Sequence, residues 1–282
     1  MIEWLQALGL PIDASADGFA IDEILGLVHW LMLILFIGWG AFFIYSLIRF
    51  RQKRNPVADH DGVKSHFSSV LELAVAIIEM VLLVGFAIPI WASRVNDVPE
   101  SSEAVHVRMV AQQFAWNIHY PGPDGIFGAS SLELIDEEVN PIGLDRSSPG
   151  AADDIVTINQ LHIPVNERIR IDLSSKDVIH SVNLPEFRVK QDAVPGMVIP
   201  MHFEASMTTE EFLETLKGTA RDTLPDIEKG FQIACAQLCG LGHYRMKGYL
   251  TVHDEAGFQD WLADQAEYLE AEGDDDWDDD DW

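Results

Sequence analysis

Cysteine and basic residues are scarce in this sequence. Its 282 residues include only two cysteines, Cys235 and Cys239, which excludes a framework of several disulfides, a four-cysteine zinc site and covalent haem attachment through a C-x-x-C-H motif. Lysine and arginine number 18 against 46 acidic residues, for a net charge of -28. Nucleic-acid binding requires a basic face, so this composition excludes a nucleic-acid partner and favours a cationic one.

Long apolar runs are present near the N-terminus. The segment Ile24–Ile48 has 25 residues without a charge, which as a helix exceeds a hydrocarbon core of about 30 Å. A second run, Leu73–Ala92, has 20 residues and a single acid, Glu79. We expect both runs to span a lipid membrane as helices, with Pro89 bending the second.

The distribution of charge predicts the topology. Four of the chain's bases, Arg49, Arg51, Lys53 and Arg54, follow the first run directly, and such an excess in a short loop marks the cytoplasmic side. Both termini then lie outside, where residues 95–282 carry 37 of the 46 acids and 12 of the 18 bases. We expect an external segment at 1–23, a transmembrane helical hairpin at 24–92, an outer domain at 93–255, and a C-terminal helix with an acidic tail at 256–282.

The outer domain has the alternation of β-structure. Residues 121–154 form a long loop rich in proline and glycine, and helices are expected at 208–214 and 258–270. The expected fold class is therefore two N-terminal helices followed by an all-β sandwich or small barrel. The predicted strands are Ala104–Ile118, Asp154–His162, Arg168–Leu173, Val198–Glu204 and Gly248–Val252.

A cluster of soft ligands lies near the C-terminal end of this domain. Cys235, Cys239, His243 and Met246 fall within twelve residues, and sulfur with imidazole selects copper, while a methionine argues against zinc. Two coppers bridged by both sulfurs would use every ligand, and His180 supplies a second imidazole. The alternative for the two cysteines is a disulfide, which an oxidising compartment would permit.

Two motifs, CAQLCGLGHYRM and DVIHSVNLPEFRVKQDAVPGM, together with the two spans and the β-domain, resemble subunit II of the haem-copper cytochrome c oxidases over about residues 20 to 255. The resemblance implies a cupredoxin-like sandwich that holds the binuclear CuA copper centre. Cys235 and Cys239 would bridge both coppers. The remaining ligands would be His180 and Met246 on one copper, and His243 and the carbonyl of Gln237 on the other.

The function that this resemblance implies is electron transfer within a respiratory oxidase. The chain would take electrons from a cytochrome c, or another separate donor, and pass them to subunit I, where oxygen is reduced and protons are pumped. No residue of this chain would perform the oxygen chemistry. Its partners would be subunit I, the other oxidase subunits and the donor. Its location would be a bacterial-type inner membrane, with both termini and the copper domain on the periplasmic side.

Two positions near the copper ligands depart from the family pattern. Gln237 replaces a glutamate that binds magnesium at the contact with subunit I, and an amide is the weaker ligand, so we expect a weakened magnesium site. Phe114 replaces the exposed tryptophan that receives electrons, and Trp116 matches the second tryptophan. Both are candidates for electron entry, with a core aromatic as the alternative for Trp116.

Three acidic residues are further candidates. Asp177 matches a family position near the copper that contacts the donor. Glu72 matches a carboxylate at the mouth of a proton pathway, and Glu79 lies seven residues later on the same helix face. The alternative for Glu79 is a neutral side chain bonded to a partner helix. The remaining histidines of the outer domain are predicted to be surface or packing residues: His106, His119, His162, His202 and His253.

Three other functions are alternatives to this one. A quinol oxidase subunit II has the same architecture but lacks the copper ligands. A protein like nitrous oxide reductase shares the copper motif without the two spans. A membrane-tethered copper-binding or chaperone module would not need His180. About thirty residues follow Val252 and contain no cysteine, so we expect the donor to be a separate protein rather than a fused cytochrome c.

Overall fold

The computed structural model describes residues 3–57, 60–62 and 64–274, so the last part of the predicted acidic tail lies outside the described residues. Two compact units make up the chain. The helical unit comprises Met1–Leu10 and Phe19–Asp97, and the β unit comprises Pro11–Gly18 and Val98–Trp282. The β unit is therefore assembled from two stretches of chain, one before and one after the two long helices.

The helical unit contains both predicted membrane helices. The first is 32 residues long and the second 30, and within them an 18-residue stretch has a mean hydropathy of 2.3 and 2.6 respectively, so each is long and apolar enough to cross a membrane. The second helix contains one π-helical turn directly before Pro89, which adjusts the backbone ladder where proline removes a donor. The segments are α1 (Glu3–Ala7), α2 (Gly18–Arg49), α3 (Phe67–Leu82), the π turn (Leu83–Ala87) and α4 (Ile88–Asn96).

The β unit is a sandwich of two five-stranded sheets, as the sequence predicts. The first sheet has the order β3-β2-β1-β5-β8 and the second the order β4-β10-β9-β6-β7. Neighbours are antiparallel except for β1 with β5 and β4 with β10, which are parallel. The strands are β1 (Val105–Gln112), β2 (Ala115–Tyr120), β3 (Ile155–Ile158), β4 (Gln160–Pro164), β5 (Arg168–Ser175), β6 (His180–Leu184), β7 (Val189–Ala193), β8 (Ile199–Glu204), β9 (Phe231–Cys235) and β10 (Lys247–His253).

The core lies between the two sheets and follows from alternation along the strands. In β5 every second residue is buried, including Ile169, Ile171 and Leu173. The facing sheet contributes Val182 from β6 and Leu250 from β10, both fully buried. Burying one apolar face of each sheet against the other is what stabilises a sandwich of this kind.

Two of the predicted strands are wrong in extent. Ala104–Ile118 is not one strand, because the chain reverses at Gln113 and Phe114 and returns as β2. Asp154–His162 divides at Asn159, which has a φ of 60° and carries the chain from the first sheet into the second. The side chain of Asn159 accepts the backbone N–H of Trp116, which fixes this crossing point.

Two helices and one long excursion complete the β unit. Helix α5 (Thr209–Leu216) begins with a capping box between Thr208 and Glu211, and α6 (Glu255–Asp274) follows β10. The excursion, residues 121–154, is ordered around a small apolar cluster of its own. It is fastened to the first sheet by a buried contact of 2.6 Å between His119 Nε2 and Asp154 Oδ2.

The segment Pro11–Gly18 is bonded into the β unit. Ala14 is fully buried, its N–H donates to the carbonyl of Glu186 at 2.8 Å, and its carbonyl accepts the N–H of Ser206 at 2.8 Å. Arg188 donates to the carbonyl of Pro11 at 2.7 Å. The segment Pro11–Gly18 thus belongs structurally to the domain that follows α4.

Candidate metal centre

The ligand cluster is built on one loop and two strand ends. Cys235 is the last residue of β9, and residues 236–246 fold back so that the N–H of Cys235 donates to the carbonyl of Met246 at 3.3 Å. His180 is the first residue of β6, which pairs with β9, and the N–H of Ala236 donates to the carbonyl of Ser181 at 2.9 Å. Sheet pairing therefore places His180 beside the loop that carries the cysteines.

The structure brings all six predicted ligands together. Cys235 Sγ lies 3.8 Å from Cys239 Sγ, 3.9 Å from Nδ1 of His180 and 3.2 Å from the carbonyl oxygen of Gln237. Cys239 Sγ lies 3.6 Å from Nδ1 of His243 and 3.7 Å from Sδ of Met246. The ligand atoms of His180, Cys235 and Cys239 all lie within 4.8 Å of one another.

These distances suit metal ligands. Two atoms bound at about 2.3 Å to one ion with tetrahedral geometry are separated by about 3.7 Å. Both cysteines are free thiols, and the mixture of thiolate, imidazole and thioether is the set that prefers copper. The residues present therefore fit a copper centre.

The electrostatics of the two thiols also favours a bound cation. Burial raises the pKa of the Cys239 thiol to about 11, and the charge and hydrogen bond of Cys235 act in the same direction. Two thiolates at this separation repel each other unless a cation compensates them. Metal binding is therefore expected to release the protons of this pair.

Asp177 is exposed to solvent and also contacts the buried His180. Its Oδ1 is 2.8 Å from Nε2 of the fully buried His180, which leaves Nδ1 of that ring facing Cys235. Burial raises the pKa of Asp177, but the bond to His180 and the N–H groups of Gln113 and Val178 outweigh it and hold the pKa below its usual value. A carboxylate in this place orients a ligating histidine.

The two electron-entry candidates occupy different depths. Trp116 is fully buried, with its ring centroid 6.1 Å from that of His180. Phe114 is half-buried and packs against the ligand loop, where a Cβ on Gly242 would lie 2.4 Å from its ring. The guanidinium carbon of Arg245 lies 6.0 Å from the centroid of Phe114.

The remaining sequence candidates are the acids of the helical unit, the side chain of Gln237 and the other histidines. Glu72 and Glu79 belong to α3 of the helical unit, and both are exposed in the isolated chain. The side chain of Gln237 is exposed at the ligand loop. Of the other histidines, His106 and His119 pair with Asp172 and Asp154, and His162 pairs with His253, in line with the prediction of packing roles.

Sequence reasoning missed one residue of this region. Gln113 donates its side-chain amide to the carbonyl of Cys239 and its backbone N–H to Asp177. The sequence offered only one signal, which is that Gln113 immediately precedes Phe114 in the aromatic segment. The contact joins residues 126 positions apart, so no local pattern could reveal it.

Comparison with known proteins gives a consistent result. A model of the family described as cytochrome c oxidase subunit II, periplasmic domain, matches residues 105–212. The chain is 30% identical to the alternative cytochrome c oxidase subunit 2 of Bradyrhizobium diazoefficiens over 254 residues, covering 90% of this chain and 83% of that protein. It is 26% identical to the cytochrome c oxidase subunit 2 of Cereibacter sphaeroides over 282 residues, covering 92% and 82%.

Among solved structures, the periplasmic domain of subunit II of cytochrome oxidase of Bradyrhizobium japonicum is 25% identical to this chain. The alignment covers 61% of this chain and 99% of that one, with a TM-score of 0.39.

Proposed function

Because the chain belongs to the cytochrome c oxidase subunit II family, and is thereby a subunit of a haem-copper oxidoreductase, we propose that it relays electrons from a separate donor protein to subunit I through a binuclear copper centre. The convergence of six ligand atoms from β6, the end of β9 and the following loop carries this proposal. Oxygen reduction takes place in subunit I and is coupled to proton pumping.

Each ligand has a proposed place. Cys235 and Cys239 would both be shared by the two coppers, and the short distances from both sulfurs to other ligand atoms support this. His180 and Met246 would hold one copper, and His243 and the carbonyl of Gln237 would hold the other. When bound, the copper centre would supply a one-electron carrier.

The chain holds the ligands in a dry and rigid setting. His180 is fully buried, and Cys239 and Met246 are 3% and 2% exposed. The contact with Asp177 keeps the His180 ring in one orientation, and sheet pairing keeps β6 against β9. Ligands fixed in this way change position little when an electron arrives or leaves, which makes transfer fast.

The electron enters from a cytochrome c or another cationic donor. Phe114 and Trp116 are the proposed entry residues, with Trp116 acting as an internal contact of His180 because it is fully buried. Asp177 is 30% exposed and remains a candidate contact for the donor. The acidic outer domain attracts a cationic partner before the two proteins touch.

The helical unit anchors the relay in a bacterial-type inner membrane beside subunit I and the other subunits. Pro11–Gly18 belongs to the β unit, which supports placing the N-terminal side of α2 with the outer domain in the periplasm. Glu72 and Glu79 are proposed members of a proton pathway into subunit I, since carboxylates at membrane depth are usually functional. A magnesium ion near Gln237 would be held weakly.

The test is copper stoichiometry and electron paramagnetic resonance of the full-length chain in its oxidase. We expect two coppers per chain at this site and a spectrum in which the unpaired electron is shared over both metals. One copper per chain, or a four-line spectrum from a single copper, contradicts the binuclear centre.

Two histidine variants sharpen this test. His243→Asn should lose the mixed-valence spectrum, because it removes a ligand. His106→Asn is the control, since His106 lies on the first sheet with Asp172 and should leave the spectrum unchanged.

A further inference from the structure

Two adjacent glutamines at the turn between β1 and β2 have different partners. The Gln112 side chain donates to Glu137 at 2.8 Å and accepts from Asn117 at 2.9 Å. The Gln113 side chain turns the other way and donates its amide to the carbonyl of Cys239. The two residues are chemically identical and lie at the same turn. Of the two, it is Gln113 whose side chain contacts the ligand loop.

The backbone of Gln113 bonds to the second part of the site. Its N–H donates to Oδ2 of Asp177 at 2.7 Å, while Oδ1 of the same carboxylate is 2.8 Å from Nε2 of His180. Gln113 is therefore joined through one carboxylate to His180 and through one amide to Cys239. His180 begins β6 and Cys239 lies in the ligand loop after β9, and Gln113 connects the two from a third position in the chain.

The ligand loop is shaped for this contact. A Cβ on Gly240 would lie 2.7 Å from Nε2 of Gln113, so glycine at this position leaves the space that the amide occupies. Gly240 also has a φ of +132°, which side chains with a Cβ rarely adopt. Phe114 packs against the same loop at Gly242, so the turn supports the loop with both residues.

We propose that Gln113 is a positioning residue of the copper centre: its amide holds the Cys239 segment of the ligand loop in register with His180. The inference rests on the proposed function, because it concerns how the ligands of that centre are arranged. Gln113 is no ligand itself. Outer partners of this kind fix ligand orientation, and their loss commonly lowers metal affinity about 10-fold to 100-fold.

The experiment compares Gln113→Met with Gln112→Met in the full-length chain within its oxidase. Methionine has a similar length and no donor, and the backbone N–H to Asp177 stays in place. We expect Gln113→Met to lose copper to a competing chelator at least about 10-fold faster than wild type, with altered copper hyperfine splitting. Gln112→Met should retain copper at the wild-type rate with an unchanged spectrum.

A second variant reverses the polarity of the contact. Gln113→Glu has the same shape, but its carboxylate faces the Cys239 carbonyl and adds a negative charge near the centre. It should lose copper faster than Gln113→Met and lower the midpoint potential, because negative charge disfavours the reduced state. Wild-type copper retention and wild-type potential in both Gln113 variants overturn the proposal.

Melting temperatures of the copper-free proteins separate positioning from general stability. Positioning requires that copper-free Gln113→Met melts at the same temperature as copper-free Gln112→Met while differing in copper retention. A lower melting temperature with unchanged copper retention overturns it. The proposed function fails separately, since it fails when the wild-type chain itself lacks two coppers.

Discussion

Cys239 Sγ lies within 3.8 Å of three other ligand atoms, those of Cys235, His243 and Met246. A thiolate with this many ligand atoms around it is placed to bridge two copper ions. A thioether is a weak axial ligand, which shifts the midpoint potential of a copper more than it contributes to holding the ion. We expect Cys235→Ser and Cys239→Ser each to lose the mixed-valence centre. Met246→Leu should retain two coppers with a shifted midpoint potential. A serine variant that keeps both coppers and the shared spectrum contradicts the bridging role.

The buried pair of His119 and Asp154 is a second residue-scale feature. Asp154 is fully buried and also accepts the N–H of Gly128 at 2.8 Å, so one carboxylate holds both ends of the excursion. Burial lowers the pKa of His119, although Asp154 opposes this shift. Asp154→Ala leaves two donors without their acceptor, and we expect each to cost about 1–3 kcal/mol in the free energy of unfolding.

Denaturant unfolding of the β unit, followed by near-ultraviolet circular dichroism of the full chain, measures this loss. The matched control is Asp153→Asn, because Asp153 is the neighbouring acid and is less buried. Equal stability of Asp154→Ala and Asp153→Asn would show that the buried pair contributes nothing.

At the scale of elements, α6 docks on the second sheet through aromatic rings. Trp261 stacks on His162 with ring centroids 4.4 Å apart and planes at 6°, and His162 Nδ1 lies 2.8 Å from Nε2 of His253. Burial, and then the charge of His253, lowers the pKa of His162 to about 4. In the unfolded chain the His162 imidazole takes up a proton near pH 6.5. Acid therefore favours the state in which α6 is undocked from the second sheet.

The contribution of neutral His162 to the docking of α6 is present above about pH 6.5 and is lost as the pH falls towards 4. The loss in the free energy of docking is at most about 3 kcal/mol. Hydrogen exchange of the α6 amides, corrected for the intrinsic pH dependence of exchange, measures it. His162→Phe keeps an aromatic partner for Trp261 and should flatten the pH profile. An unchanged profile in that variant would assign the acid sensitivity to other groups.

The elements differ in how well the sequence predicts them, for physical reasons. The two long helices follow from uninterrupted apolar runs, and the copper ligands follow from a motif of twelve residues, because both signals are local. The hairpin at Gln113 and the crossing at Asn159 were missed, since a continuous alternation conceals a reversal. The contacts of Gln113 and of Asp177 with the ligand residues depend on folding, so only the structure reveals them.

At the scale of the whole molecule, charge governs the approach of the donor. The outer region carries most of the 46 acids, and the attraction between exposed charges fades beyond about 8 Å at physiological ionic strength. We expect the rate of electron delivery to fall as salt rises. Asp177→Asn is an ambiguous probe, because Asp177 also contacts His180.

Glu137 is the better probe of docking. It is exposed and bonds to Gln112 and Lys176, which places it near the Asp177 side of the copper site. Glu137→Gln should lower the low-salt rate more than Glu167→Gln, which changes an exposed acid after β4. A rate that is flat with salt, or equal effects of the two variants, would favour an apolar contact around Phe114.

The seating of Ala14 between Glu186 and Ser206 bears on how this protein can be divided. A soluble fragment that starts at Val98 leaves an empty slot where Ala14 was buried, with a free carbonyl and a free N–H at its edges. A synthetic peptide of residues 10–17 should bind that fragment in trans and raise its melting temperature. The same peptide with Ala14→Asp should not, because the slot has no room for a charge. The β unit of this subunit is thus a natural candidate for fragment complementation.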